Sequence, residues 1–193
     1  MSGNKGEHEV LNRLSSLPSE YRVLHNLIVT KADGHTTEVD CVVVSKYGIF
    51  VIEVKGAKGV FRGDVRSKYW RMERFSSHRY NNNCGKIYSP VFQNKKHIKV
   101  IRNYLGDIDK SVFRNIVCFS NIRAIVLVNG FKVVIPSNLL DEIQKHKECI
   151  IEDEEVDAIY EKLKVLYRPS VKSSISHIND MNTAKQIHMN GGI

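Results

Sequence analysis

No stretch of this sequence stays apolar for the roughly 18 to 20 residues that a membrane-spanning helix needs. Residues Met1 to Glu9 carry no apolar core of the kind a secretory leader has. The expectation is a cytoplasmic protein with no membrane partner. Cysteine is sparse as well: the four, at 41, 84, 118 and 149, include no CxxC pair and no Cys/His cluster. That argues against a structural zinc site and against a disulfide framework. Cys41 and Cys118 sit inside apolar runs and read as small core residues. Internal repeats, low-complexity blocks and any helicase, ATPase or zinc-ribbon segment are missing too.

What the chain does have is the size and balance of one folded domain. Its 193 residues suffice for a single hydrophobic core and are too few to expect two. Hydrophobic residues make up 42% and charged ones 26%, the proportions of an ordinary soluble domain. A net charge of +8 favours a polyanionic partner such as nucleic acid. Charge alone does not decide the matter, because surface lysine also serves solubility.

Val10, Leu11, Leu14 and Leu17 recur at helical spacing, which predicts a helix over residues 6–17 that Pro18 stops. Residues 22–30 suit a strand, and KADGH supplies a turn. Two stronger strands follow, TEVDCVVVS and GIFVIEVK, joined by Lys46-Tyr47-Gly48 and as dense in Val, Ile and Phe as central strands are. Shorter strands are expected around Val60-Phe61 and from Trp70 to Phe75, whereas residues 76–90 have loop composition. A helix over 91–105 presents Ile98, Ile101 and Leu105 to the core. The strands NIVCFS and RAIVLV, a short KVVI segment and a helix beginning near Pro136 come next. A last helix over 153–167 starts acidic and ends with Lys162, Lys164 and Arg168, an order that complements the helix dipole. Residues 169–193 are polar without an apolar pattern and read as a tail appended to a domain of residues 1–168. This order predicts an α/β sandwich with a mixed central sheet flanked by helices.

The informative feature is a set of charges where the pattern asks for hydrophobes. In GIFVIEVK, Glu53 and Lys55 interrupt a run that otherwise looks fully buried, and strand alternation points them the same way. Asp40 likewise interrupts EVDCVVV in the preceding strand. The short link makes the two strands an antiparallel pair, which can bring Asp40 and Glu53 onto one sheet surface. One reading is a Lys55–Glu53 surface pair where the sheet runs out. The other is a cleft in which two carboxylates bind a hard divalent cation and a lysine beside them holds water and offsets phosphate charge. Glu7 shares a helix face with Val10, Leu11 and Leu14. It either has a task there or caps the helix start with Asn4.

The order Gly6-Glu7, Val39-Asp40, Glu53-Val54-Lys55 and Gln93 at a helix start resembles the NERD (nuclease-related domain) family, a branch of the PD-(D/E)xK nuclease superfamily. The flanking blocks agree: GEHEVLNRL, EVDCVVVSKYGIFVIEVKGAKGVFRG, Trp70 and SPVFQNKKHI, with a looser match through FRNIVCFS. The sequence departs from the superfamily pattern at Val39, where the name has Pro, and from the usual family pattern at Ser89, where Asn often precedes the proline.

The resemblance implies a restriction-endonuclease-like fold and a nuclease dependent on Mg²⁺ or Mn²⁺, acting on DNA in processing or defence. It implies Asp40 and Glu53 as metal ligands with the Val54 carbonyl, Lys55 positioning the attacking water, and Glu7 as an accessory acidic residue, either a second-metal ligand or a base reached through water. Gln93 would orient Lys55 or the scissile phosphate. His97 shares the Gln93 face of its helix and is expected to face solvent; the alternative is that it lines the cleft.

Residues 58–86 interleave Lys58, Arg62, Arg66, Lys68, Arg71, Arg74, Arg79 and Lys86 with Tyr69, Trp70, Phe75 and Tyr80. Such a mixture can grip phosphates and stack on bases. Lys58, Arg62, Arg66, Lys68 and Arg71 are the candidate nucleic-acid contacts, while Trp70 reads as core. Two other classes of protein remain open from sequence: a non-catalytic nucleic-acid-binding module, and a partner-recruiting domain on a nuclease fold.

Overall fold

The computed structural model describes residues 3–75, 84–106 and 108–168. Its elements follow in the order α1 (Gly3–Leu14), β1 (Arg22–Thr30), β2 (Thr36–Ser45), β3 (Gly48–Lys55), β4 (Gly59–Asp64), β5 (Tyr69–Glu73), β6 (Cys84–Tyr88), α2 (Pro90–Leu105), β7 (Phe113–Phe119), β8 (Ala124–Asn129), α3 (Leu139–Gln144) and α4 (Asp153–Lys164). Period-two alternation decides what each strand face meets. Val42, Val44, Ile49 and Val51 pack against Ile98, Ile101 and Leu105 of α2 and Ile159 and Leu163 of α4. The intervening Cys41, Val43, Phe50 and Ile52 pack on the other face against Val10 and Leu14 of α1 and Leu139 and Ile143 of α3. Covered on both sides, β3 is buried along its length except at Lys55. That explains its continuous apolar run.

The sequence predicts one central sheet, whereas the described residues form two, each with four strands and each mixed. The first runs β1-β2-β3-β7, antiparallel except where β7 lies parallel to β3. The second runs β6-β5-β4-β8, with β8 parallel to β4. The reason is that β2 and β7 occupy both edges of β3, so the strand after Lys55 takes its partner from β8 instead. A third core cluster of Phe61, Trp70, Met72, Val117, Phe119 and Val128 joins the second sheet to β7, and Trp70 is core as expected.

Other departures are local. Helix α1 ends at Leu14, and its predicted last turn becomes a tighter run in which the Ser16 and Leu17 amides donate to carbonyls three residues back. The loop expected over 76–90 contains β6. Its side chains are exposed or half-buried, so no apolar alternation marked it, and backbone pairing with β5 holds it. Residues 76–83 and the tail at 169–193 lie outside the described residues. KVVI contributes a single bridge, Val134 to Cys118.

Candidate active site

Strand register sets the first half of the site. Cys41 pairs with Ile52 across β2 and β3, so one step further Asp40 stands opposite Glu53. The ladder stops there, and the freed Val54 N–H donates to Asp40 Oδ2 at 2.7 Å. On the other side of β2, the pairing with β1 skips Asn26 and Asp40, and Asn26 has a left-handed φ of 52°. Asn is among the few non-glycine residues that tolerate this conformation. Sequence reasoning missed Asn26; an asparagine in mid-strand was the available signal.

Glu53 and Lys55 lie on the face that α2 covers. Lys55 Nζ donates to Glu53 Oε1 at 2.5 Å and to Gln93 Oε1 at 3.1 Å, so Gln93 and Glu53 hold the ammonium from two elements. Glu53 is 2% exposed, which removes the surface-pair reading. Its other oxygen, Oε2, has no hydrogen-bond partner among the described residues. The ring of His97 comes within 3.3 Å through Nδ1 without forming a hydrogen bond, and Nδ1 too has no partner among the described residues. His97 is therefore buried against Glu53 rather than facing solvent, contrary to expectation. What covers it is Glu53 of β3, a neighbour distant in sequence that helix periodicity does not register.

Electrostatics follow from this crowding. Burial first, then the neighbouring Glu53 charge, pushes the Asp40 carboxyl up to about 7. Burial also raises Glu53, with Lys55 pulling the other way. His97 is lowered to about 4 by burial and then by Lys55, so its ring is neutral at physiological pH. Glu7, half-buried, reaches the same region from α1 across the sheet, and its charge raises both Asp40 and Glu53. Helix α1 can come this close because residue 6 is glycine: a Cβ there would stand 2.0 Å from Ser120 Oγ.

A second residue that sequence reasoning passed over anchors α2. Asn94 is fully buried, and its amide nitrogen reaches the Val51 carbonyl at 2.7 Å, the Ile116 carbonyl at 3.0 Å and Asn115 Oδ1 at 2.9 Å. It ties the helix to β3 and β7 one residue from Gln93. Its signal was present, since Asn94 occupies the stripe continued by Ile98, Ile101 and Leu105.

The candidate basic contacts lie elsewhere. Lys58 precedes β4, Arg66 and Lys68 occupy the β4–β5 turn, and Arg62 and Arg71 stand opposite each other on the solvent face of the second sheet. Arg62 pairs with Glu73 at 3.3 Å and Arg66 with Asp64 at 3.1 Å. Arg79 and Tyr80 lie outside the described residues. Among the described residues, no three His, Cys, Asp or Glu side chains gather into a group that could by itself hold a metal ion. No described helix is long and apolar enough to cross a membrane.

Fold and site define an α/β protein with a buried Glu53 and a half-buried Asp40 beside a strand-end lysine. The chain matches the nuclease-related domain family over residues 2–120, and it belongs to that family. An uncharacterized protein of Bacillus anthracis is 37% identical over 100 residues, a stretch covering 51% of this chain and 44% of that protein. The matched region thus spans less than half of that relative's length. No solved structure matches the chain.

Proposed function

We propose that the protein is a divalent-metal-dependent nuclease that hydrolyses phosphodiester bonds in DNA. The observation that carries this reading is the convergence of Asp40, Glu53 and Lys55 at the end of one buried strand pair, with Gln93 on the lysine. The donor set suits Mg²⁺ or Mn²⁺. Magnesium keeps several waters and is usually bound by one or two carboxylates together with substrate phosphate, so it needs no three-ligand protein cage. Asp40 and Glu53 would hold the ion, with the Val54 carbonyl beside them. The raised Asp40 carboxyl and the Glu53 oxygen that finds no partner among the described residues both speak for a cation there, since two carboxylates held close and poorly solvated repel each other until one is neutralised. The ion would supply Lewis-acid charge at the phosphate oxygens.

The chain's own groups do the rest. Lys55, steadied by Gln93, aligns the attacking water and offsets charge developing on the phosphate. Glu7 is an accessory carboxylate that acts as a base, taking up a proton through water. His97, neutral and packed on Glu53, holds that carboxylate in place.

The substrate class is supported by the second sheet. Arg62, Arg71 and Lys86 stand directly opposite one another across β4, β5 and β6. Like charges in register destabilise a sheet, and a polyanion would relieve the repulsion. The same row would serve a non-catalytic binding module, so the test must read cleavage. Purified protein incubated with plasmid DNA should nick or degrade it with Mg²⁺ or Mn²⁺ and leave it intact in EDTA. Salt-sensitive binding without cleavage would establish the binding module instead.

A further inference from the structure

A cavity of about 300 Å³ opens beside the site, between α2 and the end of the β1–β2 hairpin. Lys31, Thr36, Tyr88, Gln93, Lys96 and His97 are among the residues lining it. None of the described residues that line it is acidic. The size is at the lower end for small-molecule sites. Two of its walls belong to the site already described: Gln93 holds Lys55 Nζ at 3.1 Å, and His97 packs on Glu53. An occupant therefore sits one side chain away from the lysine.

The remaining walls select the occupant. Lys31 and Lys96 come from different elements and both line the space. Tyr88 offers an aromatic ring, over which Lys96 Nζ rests at 4.5 Å. A cation resting on an exposed ring is worth about 0.5–1 kcal/mol, whereas stacking a base on an aromatic side chain is worth about 1–3 kcal/mol. A base can thus displace the ammonium from the ring, which frees Lys96 for a phosphate. Among the described residues, the Lys31 ammonium is engaged only by an exposed pair with Asp33 at 3.3 Å, an interaction of little worth. A base inside a duplex is stacked and paired and cannot enter such a cavity unless it is extruded.

We propose that this cavity is a subsite for one unpaired nucleotide, with its base on Tyr88 and its phosphate between Lys31 and Lys96. The consequence is a preference for single strands, flaps or frayed ends over intact duplex. The proposal rests on the nuclease reading for its setting, yet it predicts binding that can be measured without catalysis.

The test uses the full chain in EDTA and fluorescence anisotropy with a short labelled single strand and a blunt duplex of the same sequence. Lys31→Ala/Lys96→Ala and Tyr88→Leu should each weaken single-strand binding by about tenfold, the equivalent of ~1.4 kcal/mol. Duplex binding should change by less than about twofold, and Tyr88→Phe should keep wild-type affinity because the ring remains. Equal losses on both ligands, or no loss on the single strand, overturn the subsite. Cleavage with Mg²⁺ is read separately. Selective binding loss in a protein that never cleaves keeps the subsite and removes the nuclease reading. Cleavage with unchanged variant binding does the reverse.

Discussion

Asp40 faces Glu53 across the β2–β3 pair, and burial together with that second charge pushes its carboxyl up to about 7, from an ordinary value of 3.8. The folded protein therefore keeps a proton that the unfolded chain releases from about pH 4 upward. Stability falls as pH rises from about 4 to 7, and the penalty is complete above 7. His97 acts in the other direction. Held down at about 4, it refuses a proton that the unfolded chain accepts below about pH 6.5, so its burial costs stability as pH falls through that range. Asp40→Asn should raise the Tm of metal-free protein at pH 8 and do so less at pH 5. The gain converts at roughly 2–4 °C per kcal/mol for a chain of this size. The asparagine oxygen can still accept the Val54 N–H, so the change isolates the charge. Mg²⁺ should shrink the gain, because a bound ion relieves the same repulsion in the wild type. Melts by circular dichroism at both pH values decide it; an unchanged or lower Tm at pH 8 means that Asp40 is not under electrostatic strain. Asp40, Glu53 and Lys55 were legible in the sequence because each breaks an apolar pattern in a strand. The burial of His97 was not, because it depends on packing against a strand about forty positions away.

At the scale of elements, the strands that the sequence marked best are those of the first sheet: β1 and β3 match their expected bounds, and β2 differs by one residue. Strand β6 escaped because only Ile87 packs, partly buried, on the third core cluster, so the rest of the strand carries no apolar alternation and is held by pairing with β5. The position of α1 is set by a close approach rather than by its apolar stripe alone. A Cβ at Gly6 would lie 2.0 Å from Ser120 Oγ and 2.9 Å from Ser120 Cβ. Ser120 in turn donates its N–H to the Lys55 carbonyl at 3.1 Å, so the start of α1 rests on the end of the site strand. Gly6→Ala should destabilise by about 1–3 kcal/mol, the usual cost of overpacking, and should move Glu7 relative to Lys55. Removing the obstructing side chain with Ser120→Gly should recover most of that loss in the double variant. Urea unfolding of the two single variants and the double variant measures the coupling. Additive effects would show that α1 does not press on Ser120.

For the whole molecule, the second sheet is the part whose purpose the sequence stated least clearly. Its segment announced basic and aromatic residues together, and only the register separates them: Phe61, Trp70 and Met72 turn into the core, while Arg62 and Arg71 face each other on the solvent side with Lys86 next in line. Arg62 and Arg66 also hold exposed ion pairs with Glu73 and Asp64. Exposed pairs contribute about 0–1 kcal/mol each, so replacing Arg62, Arg66 and Arg71 together with alanine should leave the fold intact. If this face carries DNA, the triple variant should bind all sequences more weakly. Its dependence of log affinity on log salt should also flatten by roughly 0.9 for each duplex phosphate that is no longer neutralised. Lys55→Ala should behave in the opposite manner, losing turnover while keeping most of its affinity, because one half-buried lysine is a small part of a molecule of net charge +8. Anisotropy titrations at several salt concentrations, on a short duplex in EDTA, give the slope; cleavage rates with Mg²⁺ give the turnover. An unchanged slope in the triple variant would move the binding surface off the second sheet, whatever the outcome at Lys55.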